Sequence, residues 1–308
     1  MPISLTDEQI LSFMDVDDFI RSCDEAFRLY GEGELVNLPR QESLTRSVGM
    51  DVFRLELAGV WAGKLKGYKV IVERSDVATG RLGERSATIE LTMEDSDTSI
   101  RLDAESITNW RTGAAAALGA KYLAPTNSPI VAILGTGRIA ESTAVAVDRV
   151  LTPDVIRVTS RSAEKRDAFR ARVAPRVQAR LETVLTVDDA VSEADTVITA
   201  VPTPKPILSN AMLKSGAHLS VVAGDPRTVQ LEEDILRERP LVVDHPDQAR
   251  ASGDFVRYVD RVSKFRTLNV DGRQATIGDA ATGRLESHRG AGCVTYFTGM
   301  AIQDLHAA

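Results

Sequence analysis

Hydrophobic and polar positions change their period twice along this chain. Over the first thirty residues apolar positions recur at helical spacing. Ser4 or Thr6 ahead of Asp7 and Glu8 supplies a capping signal, a second helix starts near Asp15, and Gly31, Gly33 and Pro39 break the pattern. From Asp51 to about Leu102 the period drops to two. Residues 52–57, 68–72 and 87–92 alternate between Gly, Asp and Ser punctuation, which predicts a mostly antiparallel sheet. Residues 105–124 are alanine-rich and helical, and 125–129 (Pro-Thr-Asn-Ser-Pro) read as a linker. Beyond it short apolar runs near 130–134, 155–159, 183–186, 196–201, 217–223 and 241–244 alternate with helical stretches, the rhythm of a parallel sheet. The last stretch, Cys293 to Ala308, is amphipathic and is expected to return to the first domain. The expected fold class is therefore α/β, with residues 1–125 plus 293–308 as an α+β domain and 126–292 as a Rossmann domain.

One turn gives the second half its chemistry. The run Ile130-Val131-Ala132-Ile133-Leu134 breaks into Gly135-Thr136-Gly137-Arg138-Ile139-Ala140 and passes into a helical pattern marked by Val145, Ala146 and Val150. A Gly-x-Gly-x-x-Ala turn between a strand and a helix is where a dinucleotide pyrophosphate rests. The first glycine allows the tight turn, the second lets backbone approach the phosphates, and the small third residue lets the helix pack on its strand. The helix start adds unpaired N–H groups and a positive dipole end.

Composition narrows the partners. A net charge of −7 with dispersed basic residues argues against a nucleic-acid or anionic-membrane surface. No apolar run approaches the roughly 20 residues of a membrane span. Residues 1–8 show no basic region leading into an apolar core, so a cytoplasmic location is expected. Cys23 and Cys293 stand far apart in amphipathic surroundings and read as reduced packing residues. The histidines His218, His245, His288 and His306 have no metal-ligand spacing, and no metal is expected.

The second Rossmann strand ends in Ser160-Arg161-Ser162. An NAD site usually places an acid there for the ribose hydroxyls, and none is present. A guanidinium flanked by two hydroxyls suits a 2′-phosphate, so NADP(H) is favoured over NAD(H). The loop after the fourth strand, Thr199-Ala200-Val201-Pro202, is expected to line the nicotinamide half of the cofactor site.

The segment Ile107-Thr108-Asn109-Trp110-Arg111-Thr112-Gly113-Ala114-Ala115 resembles the ornithine cyclodeaminase/μ-crystallin family, whose members carry I-T-x-x-R-T-x-A-A just before the Rossmann glycines. Pro39-Arg40, Tyr68-Lys69, Ala223-Gly224-Asp225 and the closing stretch Thr298 to Leu305 fall in register with it. The resemblance implies a homodimer, with the first domain binding substrate and dimerising, and a small carboxylate as substrate. It implies that Arg40, Lys69 and Arg111 hold an α-carboxylate, that Thr112 joins the cofactor residues, and that Asp225 handles a proton with Lys69 and Glu56 as further catalytic candidates. A guanidinium fork plus point charges fixes a carboxylate in one orientation.

The family's activities include cyclodeamination, ketimine reduction and amino-acid dehydrogenation. Two departures from its cyclodeaminases weigh against ornithine. The chain reads Glu56-Leu57-Ala58-Gly59 where they read close to E-L-M-P, and Val70 to Asp76 lacks their N-G-H-P-x-N run. Around Asp225 the chain has Arg227 and Gln230 in a loop that is one residue short, with Gln230 where a Glu is usual. The expected function is an NADP(H)-dependent oxidoreductase acting on the C–N bond of a small amino or imino acid. A cyclodeaminase with bound NAD and a non-catalytic NADPH-dependent ligand-binding protein are the alternatives.

Overall fold

Capping boxes open the chain where its polar residues predict them. The structure, a computed structural model, describes residues 3–77, 82–96, 98–261 and 264–308. After a short strand β1 (Ile3–Leu5), Thr6 and Gln9 cap helix α1 (Asp7–Phe13) reciprocally, and Asp15 and Asp18 do the same for α2 (Val16–Glu32). Gly31 does not break α2, since one helical glycine costs only about 1 kcal/mol. The helix ends at Gly33, whose φ of +83° takes the left-handed conformation glycine adopts without strain.

The period-two stretch becomes strands. β2 (Leu35–Asn37), β3 (Gln41–Ser47), β4 (Met50–Trp61), β5 (Leu65–Asp76), β6 (Leu82–Met93) and β7 (Ser99–Asp103) precede helix α3 (Glu105–Leu123). Among the described residues they form with β1 a seven-stranded sheet of order β1-β7-β6-β5-β4-β2, with β3 also on β4. Its ladders are antiparallel except for β1 on β7. The alternation finds β4, β5 and β6; β1, β2 and β7 are too short for a period to show, and in β3 residues 41–46 are all exposed, so they carry no apolar alternation. Pairing sorts the faces: Leu57, Lys69 and Ile89 form one cross-strand row, and Glu56 pairs with Val70 on the opposite face. Leu57 and Ile89 of the first row join Ile71, Leu102, Phe19 and Ile107 in a buried core.

The chain divides into two compact units, residues 1–111 with 300–308, and residues 112–299. The division falls inside α3 and not at the 125–129 linker. The reason is the small residues of its C-terminal half. A Cβ on Gly113 would lie 2.5 Å from the Ser142 backbone, and one on Gly119 would lie 2.6 Å from Thr295 Oγ1, so this half is packed against the second unit's own elements.

The second unit runs β8 (Ile130–Leu134), α4 (Arg138–Leu151), β9 (Val155–Thr159), α5 (Ala163–Val173), β10 (Arg180–Val184), α6 (Val187–Val191), β11 (Thr196–Thr199) and β12 (His218–Val222). It continues with α7 (Glu233–Glu238), β13 (Leu241–Val243), α8 (Pro246–Arg250), α9 (Gly253–Tyr258), a ribbon of β14 (Asn269–Val270) and β15 (Arg273–Gln274), α10 (Ile277–Ala281) and β16 (Val294–Phe297). Its parallel sheet, seven-stranded among the described residues, has the order β10-β9-β8-β11-β12-β16-β13. The order reverses direction between β8 and β11, the switch point at which a Rossmann sheet binds its ligand. β16 corrects the expectation for 293–308: its four residues are all buried in this sheet. Four residues are too few for a period to distinguish strand from helix.

Only Met300–Ala308, with helix α11 (Ala301–Ala307), belongs to the first unit. α11 lies on the sheet where Gly59 and Gly67 face each other across β4 and β5. A Cβ on Gly67 would sit 2.6 Å from the Glu90 carbonyl and 3.1 Å from Leu305, and one on Gly59 3.1 Å from Leu305. The paired glycines therefore let the helix approach the strands. No described helix is long and apolar enough to cross a membrane.

Candidate active site

In the second unit the glycine turn has the geometry a dinucleotide needs. Gly135 has φ +121°, and a Cβ there would stand 2.8 Å from the Ala200 carbonyl, so both backbone and space demand glycine. Gly137 is different. Its φ of −83° suits any residue, and no described atom lies within 4 Å of the position a Cβ would take. Nothing in the fold requires glycine there, whereas an approaching pyrophosphate does. Gly137 is the N-cap of α4, which opens with Arg138 and Ile139, and offers its first turn no side-chain cap. Thr136 is half-buried between the glycines, and Ala140 is buried.

At the end of β9, Ser162 caps α5, its Oγ accepting from the Lys165 N–H at 3.2 Å and donating to Glu164. Ser160 Oγ donates to the Ser162 carbonyl at 3.3 Å. Arg161 is exposed and pairs with no described carboxylate. After β11, the Ala200 N–H donates to Leu134 O, and Ala200, Val201 and Pro202 reach the surface. Thr199 departs from the expected lining role, because as the last residue of an interior strand its side chain is wholly buried. Thr112 is buried in α3.

Asp225 follows β12 at the carboxyl end of the sheet. Gly224 before it backs onto the Thr298 carbonyl, 2.5 Å from a hypothetical Cβ. Arg227 grips Asp225 through Nε at 2.9 and 3.1 Å and Nη2 at 2.6 Å, and its backbone N–H donates to Oδ1 at 2.8 Å. Gln230 ties this loop to its neighbour: its amide donates to Val222 O at 2.9 Å while its Oε1 accepts from the Val201 N–H at 3.4 Å. A glutamate could not make the first of these bonds.

In the first unit Lys69 and Arg111 come together on one carboxylate. Lys69 Nζ donates to Asp304 Oδ1 at 2.8 Å, and Arg111 Nε donates to the same oxygen at 2.9 Å. Arg111 Nη1 donates to Gln303 Oε1 at 3.2 Å, which also accepts the Met300 N–H. Lys69 and Asp304 are fully buried, and Arg111 is 6% exposed. Asn37 Oδ1 accepts the Ala301 N–H at 2.7 Å and pins the start of α11. Burial pushes the Lys69 ammonium down to about 8, against the pull of Asp304 and with the repulsion of Arg111. Two cations on one carboxylate leave a net positive charge, and the remaining N–H groups of Lys69 and Arg111 have no described partner.

The other first-unit candidates stand differently. Arg40, between β2 and β3, pairs with Glu42. Glu56 is not beside Lys69: strand alternation puts it on the other face of β4, where it pairs with Arg54 at 3.0 Å. Cys23 is a free, buried thiol pushed up to about 12 by burial, its Sγ 3.7 Å from the Arg111 carbonyl. Among the described residues no group of three or more candidate ligands is placed to hold a metal ion.

Sequence reading missed Asp304 and Gln303. Their one signal is two adjacent polar residues inside the otherwise apolar Ala301-Ile302-Gln303-Asp304-Leu305.

The model of the ornithine cyclodeaminase/mu-crystallin family matches residues 3–308. The chain belongs to that family. An alanine dehydrogenase of Archaeoglobus fulgidus is 27% identical over 312 residues, 99% of this chain and 92% of its own length. The ketimine reductase mu-crystallin of Mus musculus is 30% identical over 209 residues, 67% of this chain and 62% of that protein. Among solved structures, an archaeal alanine dehydrogenase dimer with bound NAD has a TM-score of 0.83 at 25% identity, covering 99% of this chain and 93% of that one. As a family member the chain shares the fold of enzymes that use a nicotinamide dinucleotide.

Proposed function

We propose that this family member is an NADP(H)-dependent oxidoreductase that reduces the C=N bond of a small imino acid, or oxidises the matching amino acid. The observation that carries the reading is the buried pair Lys69 and Arg111 sharing one carboxylate oxygen, with donors to spare for a second carboxylate. Arg40 completes carboxylate recognition. Gly135, Gly137 and the start of α4 would hold the pyrophosphate of a nicotinamide dinucleotide, which would supply hydride-transfer chemistry. Asp225 stabilises the iminium nitrogen and exchanges its proton. For that it must exchange the Arg227 fork for the substrate, and Arg227 is exposed enough to swing away.

The preference for the 2′-phosphate rests on Arg161, exposed and without a described carboxylate partner. Glu56 drops out of the catalytic set in this reading, which removes the acid that would meet a distal ammonium and favours imine reduction over cyclodeamination of ornithine. A homodimer formed through the first unit belongs to the same proposal.

The test is NADPH oxidation with preformed cyclic imines such as pyrroline-2-carboxylate, and with small keto acids plus amines, repeated with NADH. Imine-dependent consumption of NADPH is expected, and Asp225→Asn loses turnover while still binding substrate analogues. Ammonia release from ornithine with no net redox change, or ligand binding with no turnover on any imine, would overturn the proposal.

A further inference from the structure

Asp304 is the carboxylate that Lys69 and Arg111 share, and it has no part in the proposed hydride or proton transfer. It lies on α11 in the first unit, reached from β5 by Lys69 and from α3 by Arg111. Its Oδ1 takes both cations, and its Oδ2 is buried without a hydrogen-bond partner. Asp279, by contrast, uses both of its oxygens on Arg273. Asp304 instead grips each cation by one edge. It takes one ammonium N–H of Lys69 and the Nε edge of Arg111, while Gln303 takes Nη1. The donors left over, two ammonium N–H groups of Lys69 and the Nη2 end of Arg111, have no described partner and are available to a substrate carboxylate.

We propose that Asp304 is a positioning residue, which pre-orients Lys69 and Arg111 for the substrate carboxylate and keeps Lys69 protonated in its buried setting. The inference rests on the proposed carboxylate-binding role of the two cations. The charged and titratable groups facing Lys69 are Asp304 from α11, Arg111 from α3 and, further off, Arg85 from β6, itself paired with Glu73 and Glu105. Cys23 of α2 adjoins the cluster and carries no charge, its thiol pushed up by burial. Asp304 alone opposes the two effects that strip the proton from Lys69, namely burial and the Arg111 charge. Gln303 and Asn37 fix where it stands, by closing the first turn of α11 and by binding the Ala301 N–H.

The experiment follows Lys69 itself. Lysine labelled with 13C at Cε is titrated by NMR, with Lys69→Met identifying the resonance, in wild type, Asp304→Asn and Asp304→Glu. The wild-type midpoint is expected near 8. The Asn variant shifts it down by about 1–2 pH units, and the charge-preserving Glu variant returns it to within about half a unit. The alkaline limb of kcat/KM for imine reduction moves with it, so the Asn variant loses about tenfold or more near pH 8 and recovers part of the loss at lower pH. An unmoved midpoint in Asp304→Asn, or a loss of activity equal at every pH, overturns the assignment.

Should Asp304→Asn fail to fold because a buried cation is left short of charge, the double variant Lys69→Met/Asp304→Asn folds again. If the double variant also fails, Asp304 supports the fold in another way and the proposal is lost. A moved midpoint in a protein that turns over no imine would retain the role of Asp304 in holding Lys69 charged and remove the proposed function instead.

Discussion

Alanine at Gly137 separates folding from nucleotide binding with one methyl group. The backbone there has φ −83° and ψ −178°, and no described atom lies within 4 Å of the added Cβ. Alanine is a poorer N-cap than glycine by up to about 1 kcal/mol, but it loses less backbone entropy on folding, by about 0.4–1 kcal/mol. The two nearly cancel, so the unliganded variant is expected within about 0.5 kcal/mol of wild type. Gly135→Ala is the contrasting control. Its φ of +121° and a Cβ 2.8 Å from Ala200 O predict a loss of roughly 1–3 kcal/mol without any ligand.

With NADPH at one hundred times its Kd, wild type gains about 2.7 kcal/mol by mass action, and a variant bound a hundredfold more weakly gains only about 0.4 kcal/mol. Urea unfolding at fixed NADPH, with and without the nucleotide, reads both terms. Equal ligand-induced stabilisation in wild type and Gly137→Ala would refute the cradle, because the methyl group would then be meeting nothing.

Three further outcomes are expected. Lys69 has its pKa lowered in the folded state, from the ordinary 10.5 to about 8, so its burial costs stability that develops as pH falls from 10.5 through 8. Lys69→Met is therefore relieved of that cost below pH 8 and loses the advantage above 10.5, as unfolding curves across that window would show. Arg161→Ala weakens NADP+ binding about 10–100-fold and leaves NAD+ nearly unchanged, measured by fluorescence titration; equal effects on both would remove the 2′-phosphate argument. Gln230→Glu loses the donor to Val222 O at a fully buried site and destabilises the second unit by about 1–3 kcal/mol in denaturant titration.

Local features were legible in the sequence because local chemistry makes them. The capping residues Thr6 and Asp15 start helices wherever the rest of the chain goes. The strands at 130–134 and 155–159 match the apolar runs that predicted them, and Gly135 is demanded by its own φ. Family membership followed from the same kind of information, since motifs such as Ile107 to Ala115 are contiguous.

Pairing over long separations was not legible. β16 is a short apolar run whose place in the parallel sheet depends on β12 and β13. The family resemblance implies one catalytic set that holds both Glu56 and Lys69. Their faces depend on register, however, which pairs Lys69 with Leu57 and sends Glu56 to the other side. Lys69 and Asp304 stand 235 positions apart, and no local pattern links them. Backbone conformation is set by neighbours in sequence, which the chain displays. The partner of a buried charge is set by whichever element packing brings across it, and only the folded molecule decides that.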